Sequence, residues 1–464
     1  MRGTRTLAAA IMLALIGTHA SWAQTAPAAT TPADDAQALT RPPWLIDYTL
    51  GVGIEHTDNI ALRHDDKIDQ NLLTPNVTFS LDRQGSTVQA HATGQVEYVD
   101  YLEGQYVNEF RGQFAGNLNW VLSPERLSFS ASDVSGIQPV QTRVEYAPDN
   151  LQQVNIFSAG PTLQFRLGNA LRGEADLRYT NTLASKTKYF DSERGSFALR
   201  VIRDLDPTSA LSFNAESNYV DPQQTDIAIN PLAAPSYTNY RVYGAYQSTL
   251  SKIKFNASAG WTDYEFDQGI PARSGAFASV GVNWQMTPRN TLGAGVSHDF
   301  GDMAGNMATN PLTVGTTPDT SYTTNSGLVV GSSVVTSQVF EQDQATLNYA
   351  FNGERLGFQV SPYFRRQKYI NNQDLDIKYR GASSTITYLI TPLLTLGFSG
   401  DYDRVEYLTS SGHDTYTSFG PSLLQQLTPH WSWQASFSHY TRHGSDPSRD
   451  FVENAVYFVV RYRR

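Results

Sequence analysis

The chain has 464 residues, a formal net charge of −10 and no cysteine. Zero cysteine excludes a disulfide framework, a thiolate metal site and a cysteine nucleophile. The acidic balance argues against nucleic acid as a partner, because neutralising phosphate takes Lys and Arg.

The first 23 residues read as a secretory signal. Arg2 and Arg5 supply the positive start, Leu7–Ile16 the apolar core, and Ser21-Trp22-Ala23 a small-x-small cleavage site. Loss of those two cations takes the net charge to about −12. Residues 24–43 are rich in Ala, Pro, Thr and Asp, and predict a flexible tail on the periplasmic side. No other apolar run approaches the ~18 residues that a membrane helix needs.

From residue 44 the pattern changes. In the stretch Ser86–Trp120, Val88, Ala90, Ala92, Gly94, Val96 and Tyr98 alternate with Gln89, His91, Thr93, Gln95 and Glu97. Farther on, Phe110, Phe114, Leu118 and Trp120 alternate with polar residues, with Tyr106 before them. A period of two is a strand signature. Runs of more than ten residues match the ~9–11 tilted residues that cross a bilayer. The same alternation recurs at Leu171–Tyr179, where Arg172, Glu174, Asp176 and Arg178 share one face. It recurs again at Leu211–Glu216, Leu394–Ser399 and Trp431–Ser438. Four charges on one strand face cannot meet hydrocarbon, where each would cost about 2–4 kcal/mol at mid-depth.

Tight-turn signals follow these runs at Asp82–Ser86, Ser123–Arg126, Gly168–Ala170, Asp206–Ser209, Ser251–Lys252, Thr287–Asn290, Asn352–Arg355, Thr391–Leu393 and Thr428–His430. Longer connections lie between them, the longest at Asp302–Thr336. The pattern predicts an all-β fold over 44–464: a transmembrane, antiparallel, up-and-down β-barrel of about 20 strands. The count falls to 18 if Trp44–Glu55 and Lys378–Ile390, which alternate less cleanly, are not strands. Aromatic residues near strand ends (Tyr98, Tyr101, Tyr106, Trp120, Trp284, Tyr363, Trp431, Trp433) suggest interfacial girdles. The loop Asp302–Thr336 reads either as a constriction folded into the pore or as a mobile external loop.

No P-loop, dinucleotide fingerprint or metal motif is present, so neither a cofactor nor an enzymatic activity is expected. Asp401 and Asp403 near His413 and Asp414, and Asp299 and Asp302 beside His298, contain the residue types of a rim protease, but solvated rim acids account for them. Asp299–Asn306 is a loose match to a calcium loop and reads better as a Gly/Asn turn.

The expected lumen lining is Gln89, His91, Gln95, Glu97, Glu109, Arg111, Gln113, Arg172, Glu174, Asp176, Arg178, Arg194, Arg200 and Arg241. Such a wall suits a polar solute. Amides match hydroxyls and aromatic faces stack on sugar rings. The Arg–acid pairs could set charge selectivity or act as bridges across the lumen. The alternative is a structural or assembly barrel with a plugged lumen that binds a partner or a surface polymer.

Two early phrases carry a family likeness: Gly51-Val52-Gly53-Ile54-Glu55-His56-Thr57-Asp58-Asn59-Ile60, and Thr74-Pro75-Asn76-Val77 within Asn71–Ser80. They resemble the outer-membrane β-barrel porins of the beta-barrel porin 2 type, found at exopolysaccharide and exosortase loci. The resemblance implies a Gram-negative outer-membrane barrel and a role in polysaccharide export. The C-terminal run Phe451–Tyr462 also looks like the signal read by the barrel-assembly machinery, although Arg463 and Arg464 follow the final aromatic. The expected partners are therefore that machinery, outer-membrane lipid and lipopolysaccharide, and polysaccharide or export components.

Overall fold

The computed structural model describes residues 44–140, 147–168, 170–226, 230–309, 336–410 and 412–464. The signal and tail expected at 1–43 lie outside the described residues.

Among the described residues twenty strands follow one another in chain order. They are β1 (Leu45–Thr57), β2 (Gln70–Gln84), β3 (Val88–Tyr101), β4 (Glu109–Ser123), β5 (Leu127–Pro139), β6 (Leu151–Arg166) and β7 (Leu171–Ala184). Next come β8 (Ser192–Asp206), β9 (Ser209–Pro222), β10 (Tyr237–Thr249), β11 (Ile253–Phe266), β12 (Arg273–Thr287) and β13 (Asn290–Gly301). A short helix, α1 (Met303–Thr309), precedes β14 (Phe340–Asn352), β15 (Leu356–Tyr369), β16 (Ile377–Thr391) and β17 (Leu394–Tyr407). The last three are β18 (His413–Gln426), β19 (Trp431–Gly444) and β20 (Phe451–Arg463). Each strand pairs antiparallel with the next, and β20 pairs back onto β1 from Thr49↔Arg463 to Thr57↔Ala455. The sheet is therefore a closed barrel without a free edge.

All nine tight turns read from the sequence fall between consecutive strands. The two doubtful stretches are both strands, so the count is 20 and not 18. β1 alternates weakly because Gly51 and Gly53 occupy its inner face. A Cβ on Gly53 would lie 2.4 Å from the Tyr457 hydroxyl, and one on Gly51 would lie 2.6 Å from Asn76 Oδ1. The inner wall is already filled by these side chains, so the strand keeps its period by omitting its own.

The two faces differ as the alternation requires. On β1, Leu50, Val52 and Ile54 are exposed outward, while Glu55 and Thr57 are buried inward. Outward apolar residues continue round the barrel, for example Phe213, Val242, Val280, Leu347, Phe398 and Val456. Not every aromatic joins a girdle. Tyr101 and Tyr363 face inward, where Arg111 Nη2 donates to the Tyr101 hydroxyl at 2.7 Å and the Tyr363 hydroxyl donates to Asp403. Tyr106 packs against an inward cluster of Ile60, Leu72, Val99 and Tyr101. A phenol with a polar partner inside the wall gains more than one left at the rim.

Four ladders lack two successive pairs, and each of these gaps contains a proline: Pro75 in β2, Pro161 in β6, Pro362 in β15 and Pro421 in β18. Proline brings no N–H to the ladder. At the β6 gap the Arg178 guanidinium substitutes, donating to the carbonyls of Pro161 (2.9 Å) and Leu177 (3.0 Å). A different gap opens between β4 and β5, whose pairing stops at Phe114↔Ser135. There the side-chain amide of Gln153, on β6, replaces the missing strand. It donates to the Gly112 carbonyl at 2.9 Å and accepts from the Gly112 N–H at 3.3 Å. We expect Gln153→Ala to lower stability by about 1–2 kcal/mol, since two backbone groups lose their partner. It should also speed amide exchange at Gly112; unchanged exchange there would refute the role.

Candidate functional site: the inner wall and its constriction

The fourteen lumen-lining candidates stand on the face opposite the exposed apolar side chains. Gln89, His91, Gln95 and Glu97 lie on β3, and Glu109, Arg111 and Gln113 on β4. Arg172, Glu174, Asp176 and Arg178 lie on β7, Arg194 and Arg200 on β8, and Arg241 on β10.

The structure gathers many of them into a charge ladder that runs along the wall rather than across it. Arg172 pairs with Asp204 at 3.2 Å. Arg200 meets Glu174 at 3.0 Å and Glu216 at 3.9 Å, and also pairs with Asp176. Arg178 reaches the other Asp176 oxygen at 3.1 Å. Arg241 reaches Asp299 on β13 and lies over the Phe277 ring. On β2–β4 Arg111 holds Glu109 at 2.7 Å, and His91 meets Asp82 at 3.1 Å. Most of these pairs join the same or neighbouring strands, whereas Arg241–Asp299 and Arg194–Asp302 bridge parts of the barrel that are not adjacent.

Beside the ladder, towards the tight-turn end, the wall forms a cavity of about 270 Å³. Arg172, Arg200, Asn214, Tyr243, Gln247 and Asn256 supply its polar lining. The last four are not among the sequence candidates. Their signal was an amide or phenol on the polar face of a strand, which is too common to single out.

The long-loop end is occupied. After β13 the chain turns inward at Asp302, which is buried. Arg194 Nη2 donates to Asp302 Oδ2 at 2.6 Å and the Tyr237 hydroxyl donates to the same oxygen at 2.9 Å. The Gly305 N–H caps the other oxygen at 2.9 Å, starting α1. Burial opposes the charge on Asp302, but the Arg194 guanidinium and the hydrogen bonds outweigh it and hold the carboxyl below its ordinary range. Met303 and Ala304 then pack against Val134, Val154, Ile156, Ala184 and Phe190, beside β5–β7. The returning segment is fixed as firmly. Thr336 Oγ1 donates to the Leu232 carbonyl at 2.7 Å, and Gln338 Nε2 to those of Pro231 (2.7 Å) and Ala233 (2.8 Å). Of the two readings of the loop Asp302–Thr336, its described ends fit the inward one. Residues 310–335 lie outside the described residues.

The protease-like groupings do not assemble. Asp299 and Asp302 are held by Arg241 and Arg194, whereas His298 points outward to Asp343 at 2.7 Å. Asp414 is paired with buried Arg442 at 2.8 Å, Asp403 with Tyr363, and His413 with Ser445 at 3.0 Å. Asp299–Asn306 is no calcium loop either, since its carboxylates serve Arg241, Arg194 and the start of α1.

No family model matches the chain, and no curated protein does. Among solved structures it is similar to the FrpB iron transporter of Neisseria meningitidis, at 10% identity over 94% of this chain and 84% of that one, with a TM-score of 0.45. It is also similar to two receptors of Pseudomonas aeruginosa. With the ferric enterobactin receptor PfeA it shares 9% identity over 90% of this chain and 81% of the other, with a TM-score of 0.46. With the siderophore receptor PirA it shares 11% identity over 91% and 81%, with a TM-score of 0.43.

Proposed function

We propose that the protein is a Gram-negative outer-membrane barrel that passes a polar solute, narrowed at its external end by the inward segments on either side of residues 310–335. The observation that carries this reading is the inner wall. Charged, amide and phenolic side chains line it below the constriction, while the outer face is apolar. Tight turns face the periplasm in such barrels and long loops face outward, which puts the constriction at the cell surface. Asn214, Gln247 and Asn256 beside Tyr243 suit a saccharide. The likeness of the two N-terminal phrases to the beta-barrel porin 2 group supports exopolysaccharide as the source of that saccharide. The barrel-assembly machinery would engage β20, whose outward face carries Val456, Phe458, Val460 and Tyr462.

Purified protein in planar bilayers should give stepwise conductance that added oligosaccharide reduces. Arg200→Met, which leaves Glu174 and Asp176 without this cation, should shift the reversal potential towards cation preference. Silence from folded, inserted protein would instead favour a plugged structural barrel. The burial of Glu55, Thr57, Gln70, Leu72 and Thr74 at the long-loop end speaks for that second reading.

A further inference from the structure

The outer face holds a feature that passage of a solute does not use. At the long-loop ends of β15–β17, Arg366, Lys368, Lys378, Arg380 and Arg404 all share the outward register of the exposed Phe358, Ile386, Tyr388, Leu396, Phe398 and Tyr402. They sit directly above that apolar belt. The pairing sets Arg366 opposite Lys378 and Arg380 opposite Arg404. Like charges directly opposite each other destabilise a sheet, so two such pairs side by side call for an anion. Glu406 takes Lys378 at 2.9 Å, Arg404 at 3.3 Å and Arg380 as well. Arg366 and Lys368 have Asp343 and Glu341 directly across the ladder as counter-charges, and Asp343 also meets His298 at 2.7 Å. Elsewhere the outward rim at this end carries acids: Asp100, Glu193, Asp221, Asp263 and Glu265.

We propose that this patch binds the phosphate of a lipid headgroup in the outer leaflet, of the phosphorylated glucosamine class that lipopolysaccharide carries. This rests on the outer-membrane reading above. Lys378, Arg380 and Arg404 share the single carboxylate of Glu406, an excess of positive charge that supplies the complement, and arginine forks suit phosphate oxygens. The apolar belt below supplies the seat for acyl chains, which a free anion would not need. The acidic remainder of the rim repels the same headgroup, so occupancy is confined to one sector of the barrel.

The test uses full-length protein in detergent, titrated with bisphosphorylated lipid A and read by native mass spectrometry. Wild type should retain the lipid, and dephosphorylated lipid A should bind much more weakly. The triple variant Arg366→Gln, Lys378→Gln, Arg380→Gln should lose about fivefold per cation removed, roughly a hundredfold in all. The conservative Lys378→Arg should bind as wild type. Inorganic phosphate at high concentration should compete poorly; if it displaces the lipid fully, the site is one for free anions and the proposal fails. Unchanged lipid A binding by a triple variant that still shows the heat-shifted gel mobility of a folded barrel also overturns it. Insertion into vesicles is measured in parallel. A barrel that inserts normally but ignores the patch mutations sinks this inference alone, whereas one that never partitions into bilayers sinks the outer-membrane reading.

Discussion

Exchange of the loop Asp302–Thr336 for a short turn is expected to raise unit conductance by about twofold or more, because a wall of twenty strands encloses a lumen wide enough for water unless something fills it. The filling is specific. Met303 and Ala304 rest on an apolar seat made by Val134, Val154, Ile156, Ala184 and Phe190. Thr336 holds the Leu232 carbonyl in the connection between β9 and β10. Removing the segment exposes the seat without touching a strand, so the barrel should fold and insert as before. Planar-bilayer recordings check this, and equal conductance with and without the loop would show that the constriction lies elsewhere.

Arg194→Met should release the same segment by another route. Asp302 is buried, and Arg194 and the Tyr237 hydroxyl both donate to its Oδ2. Taking away one partner of a buried pair costs about 3–5 kcal/mol, because the remaining charge is stranded. The barrel ladder does not depend on this pair, so the strain falls on the segment, and conductance should approach that of the loop exchange. The pH dependence follows from the sign of the shift. The Asp302 carboxyl is held below its ordinary value in the fold. Its contribution is complete above the unfolded value, about 3.9, and is lost as pH falls through the lower folded value. Conductance should therefore stay level from neutral pH to about 4.5 and rise only below about 4. Asp302→Asn should remove that acid-dependent step. A rise centred near pH 6 would mean that a different group controls opening.

The barrel itself was legible from period and turns. Alternation over Val88–Trp120 and the nine tight turns located the strands, because a strand with lipid on one side and water on the other has to alternate. That the charged residues share one strand face was legible for the same reason. What they touch was not. Arg178 reads as a lumen charge, yet two of its bonds patch the ladder at Pro161, and no local pattern announces a proline gap in the neighbouring strand. The constriction was hidden in a similar way. Val134, Val154 and Ile156 put apolar side chains on the inner face, which reads as imperfect alternation until Met303 is seen against them. The outward cations of β15–β17 were overlooked because Arg366 and Lys368 could be assigned to a side only once their register with Lys378 and Asp343 was known.

The seam between the first and last strands sets a condition on synthesis. Because β20 supplies partners to both β19 and β1, a nascent chain that stops before Phe451 leaves raw borders on two strands at once. Such a product would be sticky along its length. Quality control would have to discard it, so the thirteen residues of β20 protect two neighbours as well as close the barrel.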